Sequence, residues 1–180
     1  TSVISTSYGS CLPKNKDVAF SIEGVPVGTE MAWSLDATAL ANGWTLSAAE
    51  AKNATPIIHV GTGNGRVYAE TADCGSTSIY GDFRIKPDVP GSITGETCLD
   101  IDSTSTLTYS VSPVLNATEG YQWSYPAGWQ VYGNDSVSAS IDLIPNGDNG
   151  GQIKIKDIGC DNSAWGNPLI LKFKSQKTRG

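Results

Sequence analysis

Apolar and polar residues alternate along this chain in short runs, and a period of two predicts strands rather than helices. The first such run is "VAFSIEG" at 18–24, followed by "EMAWSL" at 30–35, "GWTL" at 43–46, "PIIHV" at 56–60, "GRVYAET" at 65–71 and "FRIK" at 83–86. Clusters of Gly, Pro, Asn and Asp separate them, as turns require. No stretch carries a sustained 3.6-residue stripe. "SAAEAKNA" at 47–54 has room for one helical turn inside a connection, which leaves the class all-β.

The same succession then recurs. "LTYSVSP" at 107–113 answers the first run, "GYQWSY" at 120–125 the second and "GWQV" at 128–131 the third. "ASIDLI" at 139–144, "GQIKIKD" at 151–157 and "LKFK" at 171–174 complete the series. Cysteines keep the same beat, since Cys11 and Cys74 are 63 residues apart and Cys98 and Cys160 are 62 apart. Between the copies, "KPDVPGSITG" at 86–95 holds two prolines and two glycines, the composition of a segment leaving one domain for the next. The boundary is placed near Pro87, giving two β-sandwich domains over 1–87 and 88–180.

None of the four cysteines has the C-x-x-C spacing of a zinc or redox site. The repeat favours one bridge within each copy, Cys11 to Cys74 and Cys98 to Cys160. Closing loops of that length is worth about 4 kcal/mol by chain entropy. Such bridges persist in oxidising surroundings, so an extracellular or cell-surface location is expected.

The second half resembles the PKD-like, immunoglobulin-like repeats of secreted and surface proteins of Bacteroidota. The resemblance is carried by Pro90, "ITG" at 93–95, Cys98, "YSV" at 109–111, "YQW" at 121–123, "PAGW" at 126–129, "IKI" at 153–155 and "CDNS" at 160–163. The first half keeps Trp33, "GW" at 43–44 and "CGST" at 74–77, and follows mainly through the internal repeat. What the resemblance implies is two tandem immunoglobulin-like (PKD-like) β-sandwich domains in a larger protein exported by the type IX route. They would space, display or attach other parts, and the family brings no catalytic residues. Antibody-type spacing is absent, because Trp33 and Trp123 follow Cys11 and Cys98 by 22 and 25 residues. The cysteines fall outside the strand pattern, so the bridges are expected to staple an end of each sandwich.

Charge narrows the partners. Twelve basic against 18 acidic side chains leave a net charge of -6, which repels polyanions and argues against nucleic acid. No apolar run is long enough for a membrane span. His59 is the only histidine; with neither a nucleophile elbow nor a second histidine for a zinc site, an enzyme is not expected. Asp100 and Asp102 suit solvated turns better than the paired acids of a glycosidase. "GTGNGR" at 61–66 lacks a following helix and reads as a hairpin turn, its Asn64-Gly65 pair suited to positive φ. "PNGDNGG" at 145–151 offers a cation only Asp148, too little for a dedicated calcium loop. No cofactor or metal is expected. Asn53, Asn116 and Asn134 begin Asn-x-Ser/Thr acceptors, and Asp135-Ser136-Val137 resembles a bacterial O-glycosylation signal.

Trp33, Trp44, Trp123 and Trp129 occupy matching places in the two copies, which a shared core explains more simply than a shared ligand. Trp165, Tyr125 and Tyr132 are private to the second copy. Their plain reading is packing, with Trp165 plugging the end of the sandwich; the alternative is a sugar-stacking face. The expected function is a non-enzymatic surface module, stalk or adhesive repeat, whose partners are neighbouring repeats of the same polypeptide. The alternative is a carbohydrate-binding module attached to a secreted hydrolase or adhesin, with surface glycans or polysaccharide as its partner.

Overall fold

A computed structural model of the chain describes residues 3–26, 28–71, 78–100, 104–133, 137–146 and 150–174. Two compact units form, Thr1–Lys86 and Pro87–Gly180.

In the first unit the elements are β1 (Ile4–Thr6), β2 (Cys11–Leu12), β3 (Lys16–Ile22), β4 (Met31–Leu35), α1 (Ala37–Ala41), a 3-10 turn (Glu50–Lys52), β5 (Ile57–Val60), β6 (Gly65–Thr71) and β7 (Ile79–Ile85). One sheet has the order β1-β3-β5 and the other β2-β7-β6-β4. Alternation decides which side chains meet between them: Val18, Phe20 and Ile22 from β3, Val67 and Ala69 from β6, and Trp33 from β4 are all buried. Phe20 and Phe83 meet edge to face at 5.0 Å between centroids, joining the two layers.

The second unit contains β8 (Cys98–Leu99), β9 (Leu107–Ser110), β10 (Gly120–Ser124), β11 (Gln130–Val131), β12 (Ser140–Ile144), β13 (Gly151–Ile158) and β14 (Leu169–Phe173). Its sheets run β11-β12-β9 and β10-β13-β14-β8. Six strands of the first unit recur in order: β2-β7-β6-β4 corresponds to β8-β14-β13-β10, and β3-β5 to β9-β12, while β11 answers only an isolated bridge between Thr45 and His59. β2 lies parallel to β7, with Cys11 opposite Arg84, and β8 lies parallel to β14, with Cys98 opposite Lys172. The pairing of β1 with β3 shrinks to a bridge between Thr94 and Ser110. Asp17 faces His59 across β3 and β5, and Thr108 faces Asp142 across β9 and β12.

Three expectations are corrected. The first concerns the cysteines: Cys11 and Cys98 sit inside short strands, not outside the strand pattern. Cys11 and Cys160 are disulfide-bonded, whereas Cys98 is a free, exposed thiol, so the expected Cys98 to Cys160 bridge is not formed. Register is the cause. Leu171 faces Gly151 and Lys172 faces Cys98, which puts Cys98 level with the start of β13, while Cys160 follows its far end at Ile158. Eight extended residues span about 25 Å, and a disulfide requires α-carbons within about 7 Å. The expected Cys11 to Cys74 bridge falls on Cys74, which lies outside the described residues.

The second correction is an unforeseen helix. Asp36 caps α1, its Oδ1 accepting from Ala39 N at 2.7 Å and from Arg66 N at 3.1 Å. The third concerns the 61–66 turn, where Asn64 and Gly65 are not among the residues with positive φ. Gly65 is required by close approach instead, since a β-carbon there would lie 2.6 Å from Ala39 Cβ and 3.1 Å from the Trp44 ring.

Candidate functional site

β13 organises the surface with the most distinctive chemistry. Its inward residues are Ile153, Ile155 and Asp157; Gln152, Lys154 and Lys156 therefore point outward. The register sets Gln122 of β10 opposite Lys156 and Ser124 opposite Lys154. On the other side, Ile170 of β14 lies opposite Gln152, and Lys172 follows two residues on with its side chain exposed.

After β13 the chain turns and comes back along that strand. Ser163 N donates to Asp157 O at 3.1 Å and Gly166 N to Ile155 O at 2.8 Å, so the returning segment is an irregular extension of β14. Gly166 is pressed against Pro90, where a β-carbon would meet the carbonyl oxygen at 3.0 Å. Trp165, just before it, is held on the outer face. Its ring is 41% exposed and lies under Lys156, whose Nζ is 5.2 Å from the ring centroid.

The three aromatics singled out from sequence are not assembled into one platform. Tyr132 is 62% exposed and follows β11 in the other sheet, its N–H donating to Asp142 O at 2.8 Å. Tyr125 is half-buried and packs against the core. Trp165 alone of the three lies on the β13 face. Lys154, Lys156, Lys172 and the two glutamines were missed by the sequence reading. The signal was present in "IKIKD" and "LKFK", where lysines recur every second residue.

Trp33, Trp44, Trp123 and Trp129 are all buried. Trp33 Nε1 donates to Asn53 O, Trp44 Nε1 to Gly63 O and Trp123 Nε1 to Ser138 O, each at 2.8 Å. Gly63 belongs to the "GTGNGR" turn, so that turn receives an indole N–H on its backbone. Asn42 Nδ2 donates to Asn64 O in the same turn.

On the first unit's outer surface, Arg66 makes two bonds to Asp82, at 2.6 and 2.9 Å, and lies 4.2 Å over the Tyr80 ring. The Arg66 side chain holds the Asp82 carboxyl below its ordinary value, and Asp82 raises Arg66 in return. Each charge satisfies the other. His59 Nδ1 lies 2.7 Å from Asp17 Oδ1 on the outer face of the opposite sheet. Asp100 pairs with Lys174 at 3.1 Å, while Asp102 and Asp148 lie outside the described residues. No group of three or more His, Cys, Asp or Glu able to hold a metal occurs among the described residues. Asn53 is exposed and Asn116 half-buried with φ at 71°. Asn134, Asp135 and Ser136 fall outside the described residues, and Val137, the last of that signal, is exposed.

A PKD-like domain model matches residues 86–166, a little under half of the chain. No curated protein matches its sequence. Among solved structures, the crystal structure of murine CEACAM1b aligns over 97% of this chain and 100% of its own at 12% identity, with a TM-score of 0.50. A chain from the mouse coronavirus receptor-binding domain complexed with its murine receptor aligns over 97% and 100% at 12% identity, with a TM-score of 0.48. The D00-D0 domain of intimin aligns over 94% and 99% at 13%, with a TM-score of 0.41. At such identities the likeness to murine CEACAM1b is one of fold, all-β and immunoglobulin-like. Among the described residues, no helix is long and apolar enough to cross a membrane.

Proposed function

We propose that the chain is a non-enzymatic pair of tandem PKD-like, immunoglobulin-like β-sandwich domains, residues 1–87 and 88–180, within a larger exported cell-surface protein. It serves there as a spacer or adhesive repeat beside further repeats of the same polypeptide. The observation that carries this reading is the repetition of one strand plan in two units, each closed around its own buried indoles. A fold written twice, with its largest side chains spent on packing, suits spacing and display. Oxidised Cys11 and Cys160 fit an extracellular setting, and the PKD-like match fits export by the type IX route in Bacteroidota.

Labelling of intact cells with an antibody against this segment tests the proposal. Signal on unpermeabilised cells, removed by added protease, is the expected result. Signal appearing only after permeabilisation would refute a surface module.

A second reading, carbohydrate binding, is favoured by one feature: Trp165 keeps its ring exposed beside a lysine where burial in the core was available to the other indoles. A glycan array read with the wild type and Trp165→Ala separates the two, since a blank array leaves only the spacer.

A further inference from the structure

The second unit distributes its charges unevenly. Every Lys or Arg from residue 87 to 174 is one of Lys154, Lys156, Lys172 and Lys174, and all four lie on β13, on β14 or one residue beyond it. Lys154, Lys156 and Lys172 alternate with buried residues, so their ammonium groups share the outer face of the β10-β13-β14-β8 sheet. Among the described residues none of the three is in an ion pair. Two acids of this sheet have partners of their own: Asp100 takes Lys174 at 3.1 Å, and Glu96 Oε1 accepts from Cys98 N at 3.0 Å.

From this arrangement we propose that the outer face of β13 and β14 binds an anionic polysaccharide, a chain of uronate-type sugars, along the line Trp165, Lys156, Lys154, Lys172. The proposal rests on the carbohydrate reading of Trp165 and adds the charge of the ligand. The line is about 20 Å long by the rise of extended strands, which suits an extended polymer rather than a single sugar. Two kinds of contact lie along it, an indole at one end and lysines beyond. The exposed indole offers an apolar plate to a pyranose face, and the lysines offer point charges to carboxylates. Gln122, opposite Lys156, and Gln152, opposite Ile170, supply amides for hydroxyl groups.

A net charge of -6 does not cancel this face, because exposed charges are screened beyond about 8 to 10 Å at physiological salt. It does penalise a densely charged, thick polyanion that would run past the face onto acidic surface. That consideration favours a polysaccharide over nucleic acid.

The test is affinity electrophoresis of the full chain through gels containing polygalacturonate, its methyl ester or poly(U). Retardation by polygalacturonate is expected, weakening as salt is raised and absent with the uncharged ester. Lys154→Gln/Lys156→Gln/Lys172→Gln should bind about tenfold more weakly, in line with the loss of charge complementarity, and Trp165→Ala should also weaken binding. All four positions are exposed or half-exposed; unchanged circular dichroism and melting would certify folded variants. Equal retardation by acid and ester, or wild-type binding by the lysine variant, would overturn the charge proposal and leave the carbohydrate reading standing. No retardation by either polysaccharide would overturn both. Retardation by poly(U) as strong as by polygalacturonate would refute sugar selectivity.

Discussion

The alternation that buries Ile153 and Ile155 along β13 also buries Asp157, whose counterpart in the first unit is Thr71 of β6. Neither carboxylate oxygen has a hydrogen-bond partner among the described residues. Desolvation, with a smaller contribution from Asp88, pushes its pKa up to about 6 from an ordinary 3.8. The sign for stability follows from proton counting. Between about pH 4 and 6 the folded chain holds the proton and the unfolded chain releases it, so stability falls as pH rises through that window and stays reduced above it. The full penalty is roughly 3 kcal/mol. Asp157→Asn should therefore melt higher than the wild type at pH 8, match it near pH 4 and lose the slope between, as thermal scans across pH will register. Sequence alone gave no warning of this, because "IKIKD" shows the period of two but not how deep its last inward position lies. The four core indoles were legible for a different reason: each has a partner in the other copy, and two ligand sites rarely coincide where two cores must.

Strand positions were read closely from alternation; β6 occupies "GRVYAET" over its whole length, and β13 adds one residue to "GQIKIKD". Two kinds of element escaped. α1 is five residues long, too short for a helical stripe to register, and depends on the Asp36 cap more than on its own pattern. β8 has two residues, and its pairing with β14 is a parallel, long-range contact that no local pattern encodes. Missing β8 led to the wrong bridge, since equal cysteine spacing in the two copies says nothing about the end of the sandwich at which each cysteine lies. The same register yields a measurable consequence. In the native, non-reduced protein a maleimide reagent should modify Cys98 promptly, and Cys98→Ser should abolish that adduct. Cys11 and Cys160 should react only after reduction. A native Cys98 that resists labelling but appears in a disulfide-linked peptide would show that the register of β8 is wrong.

At the scale of the whole chain, the two units keep separate cores: Phe20, Trp33, Trp44 and Phe83 belong to one cluster, and Tyr109, Trp123, Trp129 and Leu143 to the other. The recurring strand order was visible in the sequence because each unit needs apolar inward residues at corresponding positions, as Trp33 and Ala69 in one and Trp123 and Ile155 in the other. The basic face was not, because it belongs to one copy only and a comparison of repeats discards what is unshared. Separate cores imply separable stability. Truncating a buried tryptophan costs roughly 3 to 5 kcal/mol, comparable with the whole stability of a domain of this size, about 5 to 15 kcal/mol. Trp123 sits opposite Ile155 in β10 and β13 and bonds Ser138 through its indole nitrogen, so Trp123→Ala removes both packing and a buried donor. Hydrogen exchange of the full-length variant should show amides of β9 to β14 losing protection while those of β3 to β7 keep theirs, and Trp33→Ala should reverse the pattern. Loss of protection through both halves from either lesion would mean that the chain unfolds as one cooperative body, and the reading of two tandem domains would fail with it.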